Sequence, residues 1–197
     1  MAVVVITGCT AGLGYHAALH LAVQSNSDQS FRGIVFACRN KKSAVTAAES
    51  IAKESKISPE KLIILDESCD LAEVESVRKY AANLIEYLRK RNLRIKTLIN
   101  NAGVGGGPTR NLTSAGYEAI FATNHIGHFL LTVLLLPFID ERIINVSSEV
   151  LHETFSFELP VDSLNSLGRS TIQRRRQGRL IQSSTGRPPR TSTKEDC

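Results

Sequence analysis

Residues 3–14 of the chain are VVVITGCTAGLG, and a helical pattern follows them directly. The apolar run predicts a strand, and the glycines that follow it predict a tight turn. Glycine permits positive φ angles and lets the backbone come close to a ligand. A helix that starts after such a turn directs its free N–H groups and the positive end of its dipole at the same point. This stretch therefore predicts a binding site for a dinucleotide pyrophosphate, with a glycine-rich turn that holds no ligand as the alternative.

Four more apolar runs follow and alternate with helical patterns. Strands are predicted at 2–6, 34–38, 62–66, 95–99 and 142–146, and helices near 12–24, 41–55, 72–91 and 115–136. The runs are apolar almost throughout, as expected for parallel strands that are covered on both faces. The alternation predicts an α/β fold with a doubly wound parallel sheet.

The positive charge of the chain is concentrated near its end. Residues 168–197 hold eight basic and two acidic side chains, so the net charge of this segment is +6. Residues 1–167 have a net charge of −1, and the chain as a whole has +5. Few aliphatic residues interrupt this segment, and it cannot bury enough surface to offset its ordering entropy. We predict a folded dinucleotide-binding domain over 1–162 and a basic, disordered tail over 163–197. Arg174–Arg176 could contact RNA or a membrane, but without nearby aromatic residues a solvated tail is favoured, and no nucleic-acid partner is expected.

Cysteine usage and hydropathy bear on the location of the chain. Cys9, Cys38, Cys69 and Cys197 are widely spaced and show no zinc-ligand spacing, which indicates reduced thiols in a reducing compartment. No secretory signal pattern is visible at the start. Thr132 and Pro137 interrupt the longest apolar run, 129–139, so no membrane span is predicted. We expect a soluble cytoplasmic protein.

Six motifs, in order along residues 1–148, resemble those of the short-chain dehydrogenase/reductase family, with a pattern similar to its retinol-dehydrogenase-like or fungal reductase branches. They are TGxxxGxG at 7–14, Cys38-Arg39-Asn40, Asp70-Leu71, Asn100-Asn101-Ala102-Gly103, Asn124-His125-Ile126-Gly127-His128 and Asn145-Val146-Ser147-Ser148. The resemblance implies a Rossmann fold with five strands in the order 3-2-1-4-5. It also implies hydride transfer between a nicotinamide and a small-molecule carbonyl or secondary alcohol.

The resemblance assigns a cofactor site to residues from four strand ends. Thr7, Gly8, Gly12, Leu13 and Gly14 would hold the pyrophosphate, with Leu13 acting through its N–H. An acidic residue after the second strand would bind the ribose of NAD. This chain has Arg39 there instead, whose guanidinium suits the 2′-phosphate of NADP. The alternative for Arg39 is an exposed basic start of a helix.

The remaining predicted cofactor contacts follow the third and fourth strands. By resemblance, Asp70 reaches the edge of the adenine, although it could also cap a helix that begins near Ala72. Asn101, Ala102 and Gly103 would form the wall under the adenosine, because small residues let the ring lie against the backbone.

Only part of the family's catalytic set is found by sequence. Ser148 matches the serine that binds the substrate oxygen, and Asn124 matches the asparagine that supports the proton relay; without the resemblance both would be read as structural. The family's Tyr-x-x-x-Lys should follow Ser148, but no tyrosine occurs after Tyr117. We therefore expect a C-terminally truncated or frame-shifted member that lacks the last strands of the family. A catalytically inactive NADP-binding or interaction protein is the alternative function.

Two further expectations concern exposed surface and metals. Without the family's later elements, we expect Leu130, Leu131, Val133 and Leu134 to be partly uncovered and the fifth strand to be an open edge, which would favour association into an oligomer. The histidine pairs His16/His20 and His125/His128 have helical spacing but no third ligand, so no metal site is predicted. His152 could substitute as an acid, but no partner for it is evident.

Overall fold

Five parallel strands form one sheet in the order β3-β2-β1-β4-β5. The computed structural model describes residues 1–25, 30–106 and 110–147. The strands are β1 (Ala2–Thr7), β2 (Phe31–Ala37), β3 (Leu62–Ile63), β4 (Arg94–Asn100) and β5 (Ile139–Asn145). The predicted fold class and strand order are confirmed. The predicted tail at 163–197 and the domain end at 162 lie outside the described residues.

Helices cover the two faces of the sheet. Helix α1 spans Gly12–Gln24, α2 spans Lys41–Ser55, α3 spans Val74–Lys90, and α4 spans Ala119–Phe138 with a π-helical turn at Ala122–Ile126. Side chains of β1 alternate between two cores: Val4 and Ile6 pack on the side of α1 and α2, and Val3 and Val5 on the side of α3 and α4. This two-sided burial explains why β1 is apolar at every position from Val3 to Ile6.

The observed bounds differ from the predicted ones by three residues at one end of β2, β3 and β5, and β2 begins at Phe31 instead of residue 34. Strand β3 is only two residues long, because the 3-10 turn Pro59–Lys61 precedes it and the chain leaves the sheet after Ile63. Strand β5 begins at Ile139, three residues before its predicted start, and includes a charged stretch. Arg94 of β4 pairs with Asp140 at 2.7 Å, so an exposed ion pair accommodates charge within the strand.

The last helix is longer than its apolar run suggested. The π turn joins its segments into a continuous helix of 20 residues with a mean hydropathy of 1.6 in its most apolar window. Among the described residues, this one helix is long and apolar enough to cross a membrane by length and composition, and the expectation of no membrane span stays a prediction. Core helices of globular proteins meet the same criterion, and Leu131 and Leu135 are fully buried in the core formed with α3.

The exposed surface of α4 and β5 agrees only in part with expectation. Val133 is 49 % exposed, and Leu130 and Leu134 are half-buried, as predicted. Leu131 is fully buried, and the prediction for it is wrong, because its position on the helix faces the core beside α3. Within the described part of the chain, β5 pairs only with β4, so it is an open edge as expected. Association into an oligomer stays a prediction.

Candidate functional site

The glycine-rich turn after β1 is closed tightly against the loop after β4. Gly8 and Gly12 have φ angles of +65° and +57°, which favour glycine. A Cβ added at Gly14 would lie 2.2 Å from the Gly8 carbonyl oxygen and 2.4 Å from Asn101 Nδ2. Asn101 Nδ2 itself donates to the carbonyl oxygens of Thr7 and Gly8 at 2.9 and 3.0 Å. Two predicted cofactor-binding segments are therefore joined directly.

The start of α1 has no side-chain cap. Its N-cap residue, Ala11, is extended and carries no group that could accept a hydrogen bond from the first turn. The first N–H groups of a helix have no partner within it, and here no side chain replaces that partner. Leu13 is 77 % exposed, so its side chain does not cover the turn. Free N–H groups beside a glycine turn make a geometry that fits an anionic phosphate.

Thr7 connects three elements through one buried hydroxyl. Its Oγ1 accepts hydrogen bonds from the N–H groups of Asn101 and Ala102, both at 2.9 Å. The same oxygen lies 2.9 Å from Nε2 of His128 on α4, closer than the 3.5 Å to the Ile99 carbonyl oxygen. A hydroxyl has one hydrogen to donate and can accept two. Thr7 therefore holds the wall Asn101–Gly103 in place at the end of β1.

His128 is the partner that completes this arrangement. Its Nδ1 lies 3.2 Å from the main-chain oxygen of Asn124, which can only accept, so Nδ1 carries the hydrogen. Nε2 is then free to accept the hydrogen of Thr7 Oγ1. Burial lowers the pKa of His128 and so favours the neutral ring. Sequence reasoning missed this role; His128 was considered only as part of the family motif and as half of the pair His125/His128 for metal binding.

Arg39 is exposed at the end of β2. In the part of the chain that the structure describes, its side chain has no hydrogen bond or ion pair, which leaves the guanidinium available. Asn40 caps α2 by accepting from the Ser43 N–H at 3.0 Å. The next residue, Lys41, pairs with Asp66 at 2.8 Å, and this ion pair lowers the pKa of Asp66. The sequence around Arg39 contains no carboxylate, but the fold brings the Asp66 carboxylate, which follows β3, to Lys41.

Asp70 is half-buried after β3. Its Oδ1 accepts from the Ala72 N–H at 3.1 Å, and the Glu73 N–H donates to its main-chain oxygen at 3.1 Å. The carboxylate thus closes a turn ahead of α3, which begins at Val74. The prediction that Asp70 caps a helix beginning near Ala72 is wrong in its bounds, because the chain makes this separate turn first. The adenine contact stays a prediction.

Asn124 holds the loop that follows Gly103. Its Oδ1 accepts from the Val104 N–H at 2.9 Å, and its Nδ2 donates to the Val104 carbonyl oxygen at 3.0 Å. It lies in the π-helical turn of α4, and its amide position is set by these two bonds. Ser148, the other predicted catalytic position, lies outside the described residues, as does His152. The structure therefore brings Asn124 to the loop that carries the predicted adenosine wall and leaves its pairing with Ser148 open.

An amide network connects the ends of β4 and β5. Asn100 Nδ2 donates to Thr132 Oγ1 at 3.0 Å and to Asn145 Oδ1 at 2.8 Å. Asn100 Oδ1 is buried and accepts no hydrogen bond. In residues 1–25, 30–106 and 110–147 it is the one buried side-chain nitrogen or oxygen atom without a hydrogen-bond partner. Those same residues contain no cluster of three or more metal-ligating side chains. The network fixes the strand end that leads towards Ser148.

Comparison with known proteins agrees with this geometry. The short chain dehydrogenase family profile matches residues 2–158. Human retinol dehydrogenase 13 is 38 % identical over 74 % of this chain and 40 % of its own length. The chain spans about two fifths of the length of the curated relatives it matches.

Two crystal structures show the same fold. One, of an uncharacterised protein from Mycobacterium paratuberculosis, is 33 % identical, with a TM-score of 0.59 over 76 % of this chain and 47 % of its own. The other, a metagenomic short-chain oxidoreductase in complex with NADP, is 25 % identical, with a TM-score of 0.51 over 69 % of this chain and 55 % of its own. The predicted family, with its resemblance to retinol dehydrogenases, is confirmed: the chain belongs to the short chain dehydrogenase family.

Proposed function

We propose that the glycine-rich turn binds NADP, and that the protein transfers hydride between the nicotinamide and a small-molecule carbonyl or alcohol. The observation that carries the proposal is the joined turn: Gly14 packs against Gly8 and Asn101 with no room for a side chain, beside a helix start that has no side-chain cap. These features fit a pyrophosphate, since its oxygens would meet free N–H groups and the space beside Gly12, where an added Cβ would meet no atom within 4 Å, is open to it.

The preference for NADP over NAD rests on Arg39. Its guanidinium has no partner among the described residues, and a planar guanidinium pairs well with a phosphate monoester. The Asp66 carboxylate is already engaged in an ion pair with Lys41. The complex of a related metagenomic oxidoreductase with NADP supports the same preference. A cytoplasmic location stays a prediction.

Bound NADPH would supply the hydride, and the protein's own residues would position the acceptor. Asn124 is fixed by its two bonds to Val104, and Ser148 is the family's carbonyl-binding position. Several curated relatives are named retinol dehydrogenases, so retinaldehyde belongs among the candidate substrates together with smaller aldehydes and ketones.

A second candidate function is nucleotide binding without catalysis. It is favoured by one sequence observation: the 197 residues contain no Tyr-x-x-x-Lys after Ser148. A tyrosine without a neighbouring cation has a pKa near 10 and is a poor proton donor at neutral pH. The two candidates share the cofactor site and differ only in turnover.

Thermal unfolding with NADPH and NADH tests the shared site. A ligand in 100-fold excess over its Kd stabilises the native state by about 2.7 kcal/mol. We expect Arg39→Ala to weaken NADPH binding by about 10- to 100-fold, as loss of a charged hydrogen bond does, and to leave NADH unchanged. Arg32→Ala is the matched control, because Arg32 is an exposed arginine at the start of β2, away from the strand end that Arg39 follows.

The outcomes separate the candidates. No stabilisation of the wild-type chain by either nucleotide would overturn the proposal. Equal losses for NADPH and NADH in Arg39→Ala would overturn the NADP preference. Consumption of NADPH with an aldehyde or ketone supports the oxidoreductase, and binding without any consumption supports the non-catalytic candidate.

A further inference from the structure

Two cysteines lie side by side at the turn that the proposed function uses. The Sγ atoms of Cys9 and Cys38 are 3.5 Å apart and both side chains are buried, although 29 residues separate them in the chain. Cys9 lies in the glycine-rich turn after β1, and Cys38 follows β2 immediately before Arg39. They meet because β1 and β2 are parallel neighbours that end at the same edge of the sheet.

We propose that Cys9 and Cys38 form a redox-active pair that hydroperoxides oxidise to a disulfide. Neither thiol has a role in the proposed hydride transfer. Cys69 is also buried nearby, and its N–H donates to the Cys38 carbonyl oxygen at 2.9 Å. Among the described residues a main-chain bond, and no recorded side-chain bond, joins Cys69 to the pair, so Cys69 serves as an internal comparison.

The surroundings give the two sulfurs different roles. The hydrogen bond with Cys9, together with the N–H groups of Cys9 and Gly8, lowers the pKa of Cys38. Cys9 instead lies 3.7 Å from the Ile6 carbonyl oxygen, an acceptor. Its hydrogen bond with Cys38, followed by burial, raises its pKa. Cys38 is 8 % exposed and Cys9 is fully buried, so Cys38 is the sulfur that meets the oxidant.

The chemistry balances with one hydroperoxide per pair. The Cys38 thiolate attacks the peroxide, its O–O bond breaks, and a sulfenic acid forms on Cys38 while an alcohol or water leaves. Cys9 Sγ then attacks Cys38 Sγ, the S–O bond breaks, and the proton of Cys9 leaves with the hydroxide as water. Overall, two thiols lose two hydrogens and the peroxide is reduced.

The disulfide would change the turn. A disulfide bond is about 2.05 Å long, so the two sulfurs must move closer by about 1.5 Å. The turn has little room to follow, because a Cβ on Gly8 would already lie 2.7 Å from Ala102 Cα. We therefore expect oxidation to displace the phosphate-binding backbone and to lower the affinity for NADPH by at least about tenfold. This consequence rests on the proposed function, whereas disulfide formation does not.

Peptide mass spectrometry tests the pair on the full chain. Trypsin releases Cys9 within residues 1–32 and Cys38 within residues 33–39. After treatment with hydrogen peroxide and thiol blocking, we expect these two peptides joined, with the loss of two hydrogens, and separated again by dithiothreitol. Cys9→Ser and Cys38→Ser should each prevent the joined peptide. Cys69→Ser should retain it, because the Sγ atoms of Cys9 and Cys38 are already 3.5 Å apart, whereas no hydrogen bond of the Cys69 thiol to either of them is recorded among the described residues.

Each result has a defined meaning. Absence of the joined peptide in the wild-type chain, or its replacement by Cys38 oxidised to a sulfinic acid beside an unmodified Cys9, would overturn the pair. A joined peptide with unchanged NADPH affinity would overturn the effect on binding and leave the modification site standing. Failure of the fully reduced chain to bind NADPH would instead overturn the proposed function, and the peptide result would be unaffected.

Discussion

Strands β1 and β5 belong to the same parallel sheet but differ sharply in burial. In β1, five of six residues are buried, and helices cover both faces. In β5, six of seven residues are exposed, and its one mapped neighbour is β4. The difference teaches that the described residues cover both faces of the sheet at β1, where the proposed nucleotide site lies, and leave the edge at β5 open.

The same contrast holds for the site residues. Those at the end of β1 are held by several bonds each: Thr7 has three partners within 2.9 Å, and Asn101 joins two loops. At the end of β5, the recorded side-chain contact is the single bond from Asn100 to Asn145. The proposed cofactor site is therefore held by several bonds, whereas the proposed catalytic side depends on Ser148, which lies outside the described residues.

The largest loss in the free energy of unfolding is expected from a substitution at Gly14. Gly14→Ala places a methyl group 2.2 Å from the Gly8 carbonyl oxygen, and that backbone is held by Asn101. Overpacking against rigid backbone costs at the upper end of the usual range, so we expect a loss of about 3 kcal/mol in the free energy of unfolding. Urea denaturation measures it, and nucleotide binding should be lost as well.

Gly105→Ala is the control for this substitution. Gly105 is exposed, and an added Cβ there meets no atom within 4 Å. A change of no more than about 0.5 kcal/mol is expected for it. If Gly14→Ala were equally mild and still bound NADPH, the tight closure of the turn would not be what builds the site.

A slightly smaller loss is expected from Thr7→Val. The substitution keeps the shape and removes the hydroxyl, which leaves the N–H groups of Asn101 and Ala102 without their acceptor. Each buried polar group without a partner costs about 1–3 kcal/mol, and water can reach some of them, so a total of about 2 kcal/mol is expected. Thr97→Val on β4 is the matched control. Thr97 is also buried, but its hydroxyl makes no recorded hydrogen bond within the described ranges. Equal losses for both variants would contradict the role of Thr7 as the junction.

These two sites show what the sequence could and could not predict. The glycine spacing and the uniform apolar runs are local signals, so the turn, the helix after it and the parallel sheet were predictable, whereas the strand order followed from the family resemblance. The contact of Thr7 with His128 spans 121 residues, and no local pattern encodes it. The ion pair of Lys41 with Asp66 spans 25 residues and was missed for the same reason. The charged start of β5 was missed because an open edge tolerates residues that a covered strand would not.

A pH-dependent effect is expected from His128. Burial lowers its pKa in the folded protein, so between that value and the unfolded value near 6.5 the unfolded chain binds more protons. The free energy of unfolding should therefore fall as the pH drops through 6.5, by up to about 1.4 kcal/mol for each unit of pKa lowering. Protonation would also put a hydrogen on Nε2, which now accepts from Thr7.

His128→Gln removes the titrating group and keeps an acceptor. Thermal unfolding from pH 7.5 to 5.5 should show a shallower loss of stability for this variant than for the wild-type chain. That range stays above the titration of the carboxyl groups whose pKa values are lowered, such as Glu118. His20→Gln, exposed on α1, should keep the wild-type slope. Parallel slopes for all three proteins would show that His128 does not couple folding to pH.

The smallest effect is expected on the open edge. Ile144 of β5 is 40 % exposed, and Thr keeps the β-branched shape that strands favour, so Ile144→Thr should change the free energy of unfolding by no more than about 0.5 kcal/mol. Ile34 of β2 is fully buried, and Ile34→Thr should cost about 2 kcal/mol because it buries a hydroxyl and removes apolar contact. Urea denaturation of the two variants compares the two halves of the sheet directly.

A loss at Ile144 as large as that at Ile34 would mean that β5 is covered in solution, by a second copy or by residues beyond 147. The contrast between the strands would then no longer hold. If that loss also grew with protein concentration, a second copy would be the cover, because only an intermolecular contact responds to concentration.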